Sequence, residues 1–125
     1  MKPVYIMIGD RGDKHYYSDR RMMILHREDG PAIEYPHGYK EWWRNGWLHR
    51  ENGPAMEWSD GSKFWYAHGE FHREDGPAVE YVNGYKEWYL EGVQLTEEEF
   101  NKRTKPSCAD KVVEIDGKKY KLTAI

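Results

Sequence analysis

The sequence has little cysteine, no long apolar run and no excess of positive charge. Its single cysteine, Cys108, cannot form an internal disulfide, which fits a reducing compartment such as the cytoplasm. No stretch approaches the ~20 apolar residues of a membrane span, and the N-terminal apolar run is too short for a signal peptide. The net charge of -3 lacks the basic footprint of a general nucleic-acid binder. We therefore expect a cytoplasmic protein that binds neither membranes nor long nucleic acids.

Aromatic residues compensate for a small apolar share. Apolar residues make up 38% of the 125 positions and charged residues 33%, against about 25% charged residues in an ordinary soluble domain. Six Trp, ten Tyr and three Phe are present. Because each aromatic side chain buries roughly 150–250 Å², we expect a thin core rich in aromatic rings.

A 23-residue unit occurs three times, at 26–48, 49–71 and 72–94. Each copy opens on HRE[DN]GPA, and eleven of its 23 positions are identical in all three copies. A fixed period of this length is typical of stacked repeats. Short aromatic and β-branched runs between glycines favour β-hairpins over helices.

The first loop of each copy has two candidate lengths. A two-residue turn at His37-Gly38 would place Glu34 opposite Glu41, and like charges directly opposite one another are destabilising. A three-residue loop, Pro36-His37-Gly38, places Glu34 opposite Lys40 instead. The three-residue loop therefore predicts the pairs Glu34–Lys40, Glu57–Lys63 and Glu80–Lys86, and places Ala32, Ala55 and Ala78 opposite Trp42, Trp65 and Trp88.

The same reasoning predicts three-residue second loops: Arg44-Asn45-Gly46, Ala67-His68-Gly69 and Leu90-Glu91-Gly92. Trp42 would then face Leu48, and Trp65 would face Phe71. Alternation along the strands predicts one face with the invariant Ala and Trp and with Leu48 and Phe71, bordered by the Glu–Lys pairs. The other face would carry the aromatic side chains that vary between copies, with His49 and His72 nearby.

The chain ends differ from the repeats. Residues 1–25 resemble a degenerate half-repeat that caps the array, and the repeats occupy 26–95. Residues 96–125 predict a short helix at 96–103 with Thr96 as N-cap and Glu99 in a capping box, then a linker, then a hairpin around Asp116-Gly117. An isolated hairpin is marginal, so we expect it to dock on the array or on a second subunit of a homo-oligomer.

The period, together with W-x-N-G-x-L-H around 42–49 and D-G-S-K at 60–63, resembles MORN-type repeats over roughly residues 14–95. The resemblance is closest to bacterial antitoxin-like variants and to short phage proteins with HRxDGPA. It implies an all-β fold of stacked hairpins: three full copies and an N-terminal half-repeat. In MORN repeats small Gly-rich steps usually follow the His, whereas R-E-[DN]-G-P-A stands here, so lipid binding and scaffolding are not carried over.

The repeated His-Arg-Glu triplet has a catalytic and a structural interpretation. His and Glu as acid and base beside an Arg suit a nuclease or a cyclic-nucleotide hydrolase, but one active site needs only one copy. The structural interpretation pairs His49 with Glu41 across strands and lets Arg and Glu join successive repeats. We favour it, expect no metal at His26, His49 and His72 because stacking separates them, and assign Cys108 no nucleophilic role.

The aromatic residues that vary between copies are the candidate ligand site. If exposed, Trp43, Tyr66, Tyr89, Tyr35, Trp58 and Tyr81 would form a stacking platform flanked by Arg44, Arg50 and His49. Stacking and Arg–phosphate contacts suit an anionic nucleotide. The leading hypothesis is a phage-type, non-catalytic protein without a cofactor that sequesters a nucleotide signal of host immunity. The alternatives are a protein–protein module, such as an antitoxin or an inhibitor of a host enzyme, and the small nuclease above.

Overall fold

The computed structural model describes residues 4–104, 112–115 and 117–121, and they form an all-β fold with one short helix. The helix is α1 (Glu97–Thr104). The strands are β1 (Tyr5–Ile8), β2 (Lys14–Tyr17), β3 (Ile33–Glu34), β4 (Lys40–Glu41), β5 (Trp43–Arg44), β6 (Trp47–Leu48), β7 (Met56–Glu57), β8 (Lys63–Phe64), β9 (Tyr66–Ala67), β10 (Glu70–Phe71), β11 (Val79–Glu80), β12 (Lys86–Leu90), β13 (Val93–Leu95), β14 (Val112–Ile115) and β15 (Lys118–Lys121).

Nine strands form one antiparallel sheet in the order β1-β2-β3-β4-β7-β8-β11-β12-β13. Each sequence copy contributes one hairpin to it: β3–β4, β7–β8 and β11–β12. The chain leaves the sheet after β4 and after β8 to form the two-stranded ribbons β5–β6 and β9–β10. In the third copy β12 is long enough to pair with β13 directly.

The three-residue first loops are confirmed. Glu34 pairs with Lys40, and the two later copies have the same register at Glu57–Lys63 and Glu80–Lys86. The Tyr35 amide donates to the carbonyl of Tyr39 at 2.9 Å, which closes the loop. Gly38 has a φ of 107°, and a side chain would be strained at this angle.

The predicted second loops are wrong by one residue. Trp43 pairs with Leu48 and Arg44 with Trp47, so the loop is the two-residue turn Asn45-Gly46. Both turn residues have positive φ, 49° and 81°, as a type I′ turn requires, and this turn matches the twist of a hairpin. The later copies repeat it at His68-Gly69 and Glu91-Gly92.

The pairing of the invariant Ala and Trp within a copy is also wrong. The Trp42 amide donates to the carbonyl of Ala55 in the next copy at 2.7 Å, and the Trp65 amide donates to Ala78 in the same way. Trp42 already belongs to the segment that leaves the sheet, so its partner lies one copy further on. The alanines have no exposed surface, and with Val79, Leu95 and Phe100 they form the apolar core of the described residues.

Different segments end the sheet on its two sides. On the N-terminal side Tyr16 takes the place of a repeat tryptophan, because its amide donates to the Ala32 carbonyl at 2.8 Å. On the other side α1 packs against β12 and β13 and buries Phe100. Thr96 caps α1 as predicted, with its hydroxyl accepting from the Glu99 amide at 3.1 Å.

The predicted C-terminal hairpin is confirmed. Strands β14 and β15 pair antiparallel with Ile115 opposite Lys118, and position 116 lies outside the described residues. The linker 104–110, with Cys108, begins at the last residue of α1, and positions 105–110 lie outside the described residues. Docking of the hairpin stays a prediction.

Candidate functional site

One face of the sheet carries a row of alternating charges. The pairs run without interruption through Lys14, Glu34, Lys40, Glu57, Lys63, Glu80 and Lys86. We call this row and the arginines bound to it the charged face. Opposite charges on directly paired residues stabilise the register, so the invariant Glu and Lys of each copy have a structural function.

The invariant arginines are held on the charged face by the same three contacts in each copy. The Arg50 guanidinium lies 3.8 Å from the ring centre of Trp42, donates to the Pro54 carbonyl at 3.1 Å and reaches Glu57 at 3.5 Å. Arg27 stacks on Tyr16, and Arg73 stacks on Trp65. Because each ring belongs to the preceding unit, these cation–π contacts join successive copies.

The invariant histidines anchor the second turns. Nδ1 of His49 accepts the His68 amide at 3.1 Å, and Nδ1 of His26 and of His72 accepts the equivalent turn amide at 2.9 Å. The predicted His49–Glu41 pair is wrong, since Nε2 of His49 points to Glu51 at 3.8 Å. Burial, and then the positive charges of His68 and Arg44, lower the pKa of His49 below its ordinary 6.5.

The opposite face of the sheet is aromatic. Backbone alternation places Ile33, Glu41, Met56, Phe64, Val79 and Glu87 in one row on this side. Rings from the adjoining positions form a continuous chain of contacts: Tyr35–Tyr39 at 5.7 Å, Tyr39–Trp58 at 4.9 Å, Trp58–Phe64 at 6.4 Å, Phe64–Tyr81 at 5.5 Å and Tyr81–Tyr85 at 5.8 Å. We call these rings, with Glu41 and Glu87, the aromatic face.

Much of the aromatic face is open to solvent. Trp58 is 46% exposed, Tyr81 41% and Tyr85 57%. Aromatic side chains usually bury most of their surface, and contiguous exposed apolar patches mark interaction sites. The rings are already ordered by contact with one another, so a partner would bind them at little additional cost in conformational entropy.

Two carboxylates lie within the aromatic face, each bonded to neighbouring rings. Glu41 accepts from the Tyr39 hydroxyl and from Nε1 of Trp43, the latter at 2.6 Å. Glu87 lies 3.4 Å from the hydroxyls of both Tyr85 and Tyr89. Burial, and then Glu41, raise the pKa of Tyr39; burial followed by Glu87 does the same to the pKa of Tyr89.

The sequence prediction grouped aromatic rings with Arg44, Arg50 and His49. The structure places these cations away from Trp58 and Tyr81, but it brings Tyr66 into a cleft with Arg50 and His49. Trp58 and Tyr81 lie on the aromatic face. Trp43 of β5, Tyr66 of β9 and Tyr89 of β12 lie along its border, where Phe71 contacts Tyr66 and Tyr89 at 4.4 and 4.9 Å. Arg50 lies on the charged face because its guanidinium stacks on Trp42 and donates to Glu57.

Arg44, Arg50 and His49 instead meet in a cleft between the first two HRE[DN]G loops. The cleft has a volume of about 340 Å³, and Arg27, Glu28, Asp29, Trp42, Glu51 and Asn52 also line it. A second cleft of about 760 Å³ lies between the next two loops, where Arg50, Tyr66 and Arg73 are among the lining residues. Cations and carboxylates both line each cleft.

Sequence reasoning missed Tyr39, Glu41 and Glu87 as surface determinants. The signal was the position that reads Glu41, Phe64 and Glu87 in successive copies. A position that accepts either a carboxylate or a phenyl ring is not fixed by the core. The predicted second loops misplace the strand that follows this position, and with it the face on which the position lies.

Comparisons with protein-family models, with curated proteins and with solved structures returned no match for this chain. Among residues 4–104 and the described C-terminal strands, no helix is long and apolar enough to cross a membrane. The same residues contain no group of three His, Cys, Asp or Glu side chains placed to hold a metal ion.

Proposed function

We propose that this protein is a non-catalytic binding module whose aromatic face binds a basic segment, rich in Lys or Arg, of a partner protein. The observation that carries the proposal is the segregation of charge between the two faces. Lysines and invariant arginines belong to the charged face, where glutamates alternate with them. Among the described residues, the aromatic face carries the carboxylates Glu41 and Glu87, and at its N-terminal edge His15, beside Tyr35, is paired with Asp13.

The exposed rings supply the apolar part of such an interface. Trp and Tyr are the residues that most often dominate binding energy, and truncating one costs roughly 2 kcal/mol or more at a hot spot. Trp58 and Tyr81 are each more than 40% exposed, and both contact Phe64. A partner side chain laid across these three positions would bury the open ring surfaces together.

The carboxylates supply specificity. A Lys or Arg of the partner could pair with Glu41 or Glu87 and lie against the surrounding rings, where a cation–π contact contributes about 0.5–2 kcal/mol. An acidic partner would instead place like charges in a half-buried site, which is unfavourable. The face therefore favours basic over acidic segments.

The proposed architecture is a stacked array of MORN-like repeats in which invariant residues build the scaffold and variable residues bind. The recurrence of three contacts supports it: Arg on the preceding ring, His Nδ1 on the following turn amide, and Trp amide on the next Ala carbonyl. A counter-defence role rests on the resemblance to phage proteins and stays a prediction.

The other two hypotheses receive less support from the geometry. Nucleotide capture by the predicted platform needs cations beside its exposed rings. Arg44, Arg50 and His49 line a cleft that does not include Trp58 and Tyr81, and of the predicted rings Tyr66 lines a cleft with Arg50 and His49. A nuclease needs a histidine free to exchange protons, and in each copy Nδ1 is taken up by a turn amide. His Nε2 remains beside an exposed glutamate, 3.4 Å away for His72 and Glu74.

The experiment is selection of random displayed peptides on the immobilised protein. The wild type is compared with Trp58→Ser/Tyr81→Ser, which removes exposed rings, and with Glu41→Phe/Glu87→Phe, which gives the first and third copies the Phe that the second copy already has. Lys40→Ser on the charged face is the matched control.

We expect peptides that combine Lys or Arg with an apolar residue, bound by the wild type and by Lys40→Ser. Both double variants should lose binding at least tenfold, equivalent to about 1.4 kcal/mol. Enrichment of acidic peptides, or binding that survives both double variants, would contradict the proposal.

A further inference from the structure

The second copy differs from the other two at the residue that follows His-Arg-Glu. In the first copy Nε of Arg27 donates to Asp29 at 3.0 Å, and in the third copy Nε of Arg73 donates to Asp75 at 2.8 Å. The second copy has Asn52 at this position. Within the part of the chain that the structure describes, Nε of Arg50 has no hydrogen-bond partner.

Arg50 is also the least enclosed of the three invariant arginines. Its side chain is 29% exposed, against 20% for both Arg27 and Arg73. Its ion pair with Glu57 is 3.5 Å long, compared with 3.4 and 3.2 Å for the equivalent pairs. With Asn52 in place of the Asp, the Nε edge of Arg50 lacks the carboxylate that the other two arginines bind. Arg50 and Asn52 both line the cleft of about 340 Å³ between the first two HRE[DN]G loops.

A second cation lies in the same cleft. Arg44 is 41% exposed and contacts Glu51 at 3.4 Å, and the equivalent positions in the later copies are Ala67 and Leu90. Both departures from the repeat, Asn52 and Arg44, thus fall in one cleft of about 340 Å³. Arg50 and Asn52 also line the wider cleft that follows, whereas Arg44 lines only this one of the two.

The acidic groups that line the cleft set the size of ligand it can take. Glu28, Asp29 and Glu51 all contribute to the lining, although Arg27 holds Asp29 and Arg44 holds Glu51. An extended polyanion would meet these carboxylates and be repelled. A single small oxyanion could occupy the Nε edge of Arg50 alone, where the other copies place a carboxylate of their own.

We infer that the cleft formed by Arg44, Arg50 and Asn52 is a binding site for a small oxyanion, a phosphate or a phosphate monoester. The ligand takes the position that the Asp carboxylate fills in the first and third copies. Arg50 donates through its Nε edge in the planar geometry that guanidinium groups use for phosphate. Arg44 adds charge, and the Asn52 amide adds a neutral donor. The inference is independent of the aromatic face.

The test is titration with inorganic phosphate at constant ionic strength, followed by the Nε–Hε NMR resonances of the arginines. We expect the Arg50 resonance to shift in a saturable way, with those of Arg27 and Arg73 unchanged. Asn52→Asp should abolish the shift by supplying an internal carboxylate, and this variant restores the residue of the other copies, so it folds. Arg44→Ala, which copies Ala67, should weaken binding about tenfold or more.

A gain-of-function pair uses the third copy. Asp75→Asn frees Arg73 but leaves Ala67 where a second arginine would stand, so it should bind phosphate weakly. Asp75→Asn combined with Ala67→Arg should create a second saturable site. Adenosine monophosphate is titrated in parallel: tighter binding than phosphate identifies a monoester as the ligand, and equal binding identifies free phosphate. Unchanged binding in Asn52→Asp, or shifts spread over all arginines, would overturn the inference.

Discussion

Replacing His49 tests whether the invariant histidine is a structural anchor. Its Nδ1 accepts the amide of His68 at 3.1 Å, and its side chain is only 12% exposed. His49→Leu keeps apolar bulk but removes the acceptor, whereas His49→Asn keeps an acceptor near the same place. A net hydrogen bond contributes about 1 kcal/mol, so we expect His49→Leu to lower the melting temperature by about 3–6 °C in a domain of this size.

The pH dependence separates the anchor from simple packing. The pKa of His49 is lower in the folded protein than its ordinary 6.5, so below that pH the unfolded chain binds more protons. The stabilisation from neutral His49 is therefore complete above about pH 6.5 and is lost as the pH falls through the folded pKa. Protonation also turns Nδ1 into a donor that faces another donor.

The assay is urea unfolding at about pH 8 and about pH 5, on either side of the ordinary histidine pKa of 6.5. The wild type should lose more stability from the higher to the lower pH than His49→Asn does. At the higher pH His49→Leu should be less stable than the wild type, whereas His49→Asn should stay close to it. If all three proteins showed the same pH dependence and the Asn variant were no better than Leu, the anchor role of His49 would be refuted.

Two further predictions concern the scaffold and a third concerns the aromatic face. Gly69→Ala should destabilise the protein by at least about 1 kcal/mol more than Gly84→Ala. Both glycines have positive φ, but only at Gly69 would a Cβ overlap the Trp47 ring. Thermal unfolding of the two variants measures the difference, and equal losses of stability would contradict it. Arg73→Lys should cost about 1 kcal/mol in urea unfolding through the weaker contact with Trp65, at 3.9 Å, whereas Arg11→Lys on the exposed N-terminal turn should cost nothing measurable. Burial and Glu41 raise the pKa of Tyr39, so this tyrosine should ionise at the alkaline end of an absorbance titration. Tyr39→Phe should therefore remove absorbance change from the most alkaline part of the curve. Loss of a tyrosine that ionises at lower pH would argue against the burial of Tyr39.

The sheet register could be predicted because its determinants lie close together in the sequence. Charge repulsion between Glu34 and Glu41 excluded one loop length, and the glycine at 38 fixed the other. Thr96 and its helix were likewise predictable from local capping chemistry. In each case a few adjacent residues decide the conformation.

Contacts between copies could not be predicted in the same way. A two-residue turn at Asn45-Gly46 and a three-residue loop are both compatible with the local sequence, and the choice between them depends on how the ribbon meets its neighbour. The amides of Asn45 and Gly46 donate to His26 Nδ1 and to the Leu25 carbonyl, about twenty residues earlier in the chain. That single-residue difference in register decided which side chains share a face, and with it the composition of the candidate site.

The most direct test of the central claim uses the indole N–H resonances of the tryptophans. A short Lys- and Tyr-containing peptide is added to the labelled protein, and the same peptide with Glu in place of Lys serves as the control. We predict that Trp58 on the aromatic face and Trp43, bonded to Glu41, shift with the basic peptide. Trp42 and Trp65, covered by Arg50 and Arg73, should stay unchanged. Shifts at Trp42 and Trp65 alone, or an equal response to the acidic peptide, would contradict the assignment of binding to the aromatic face.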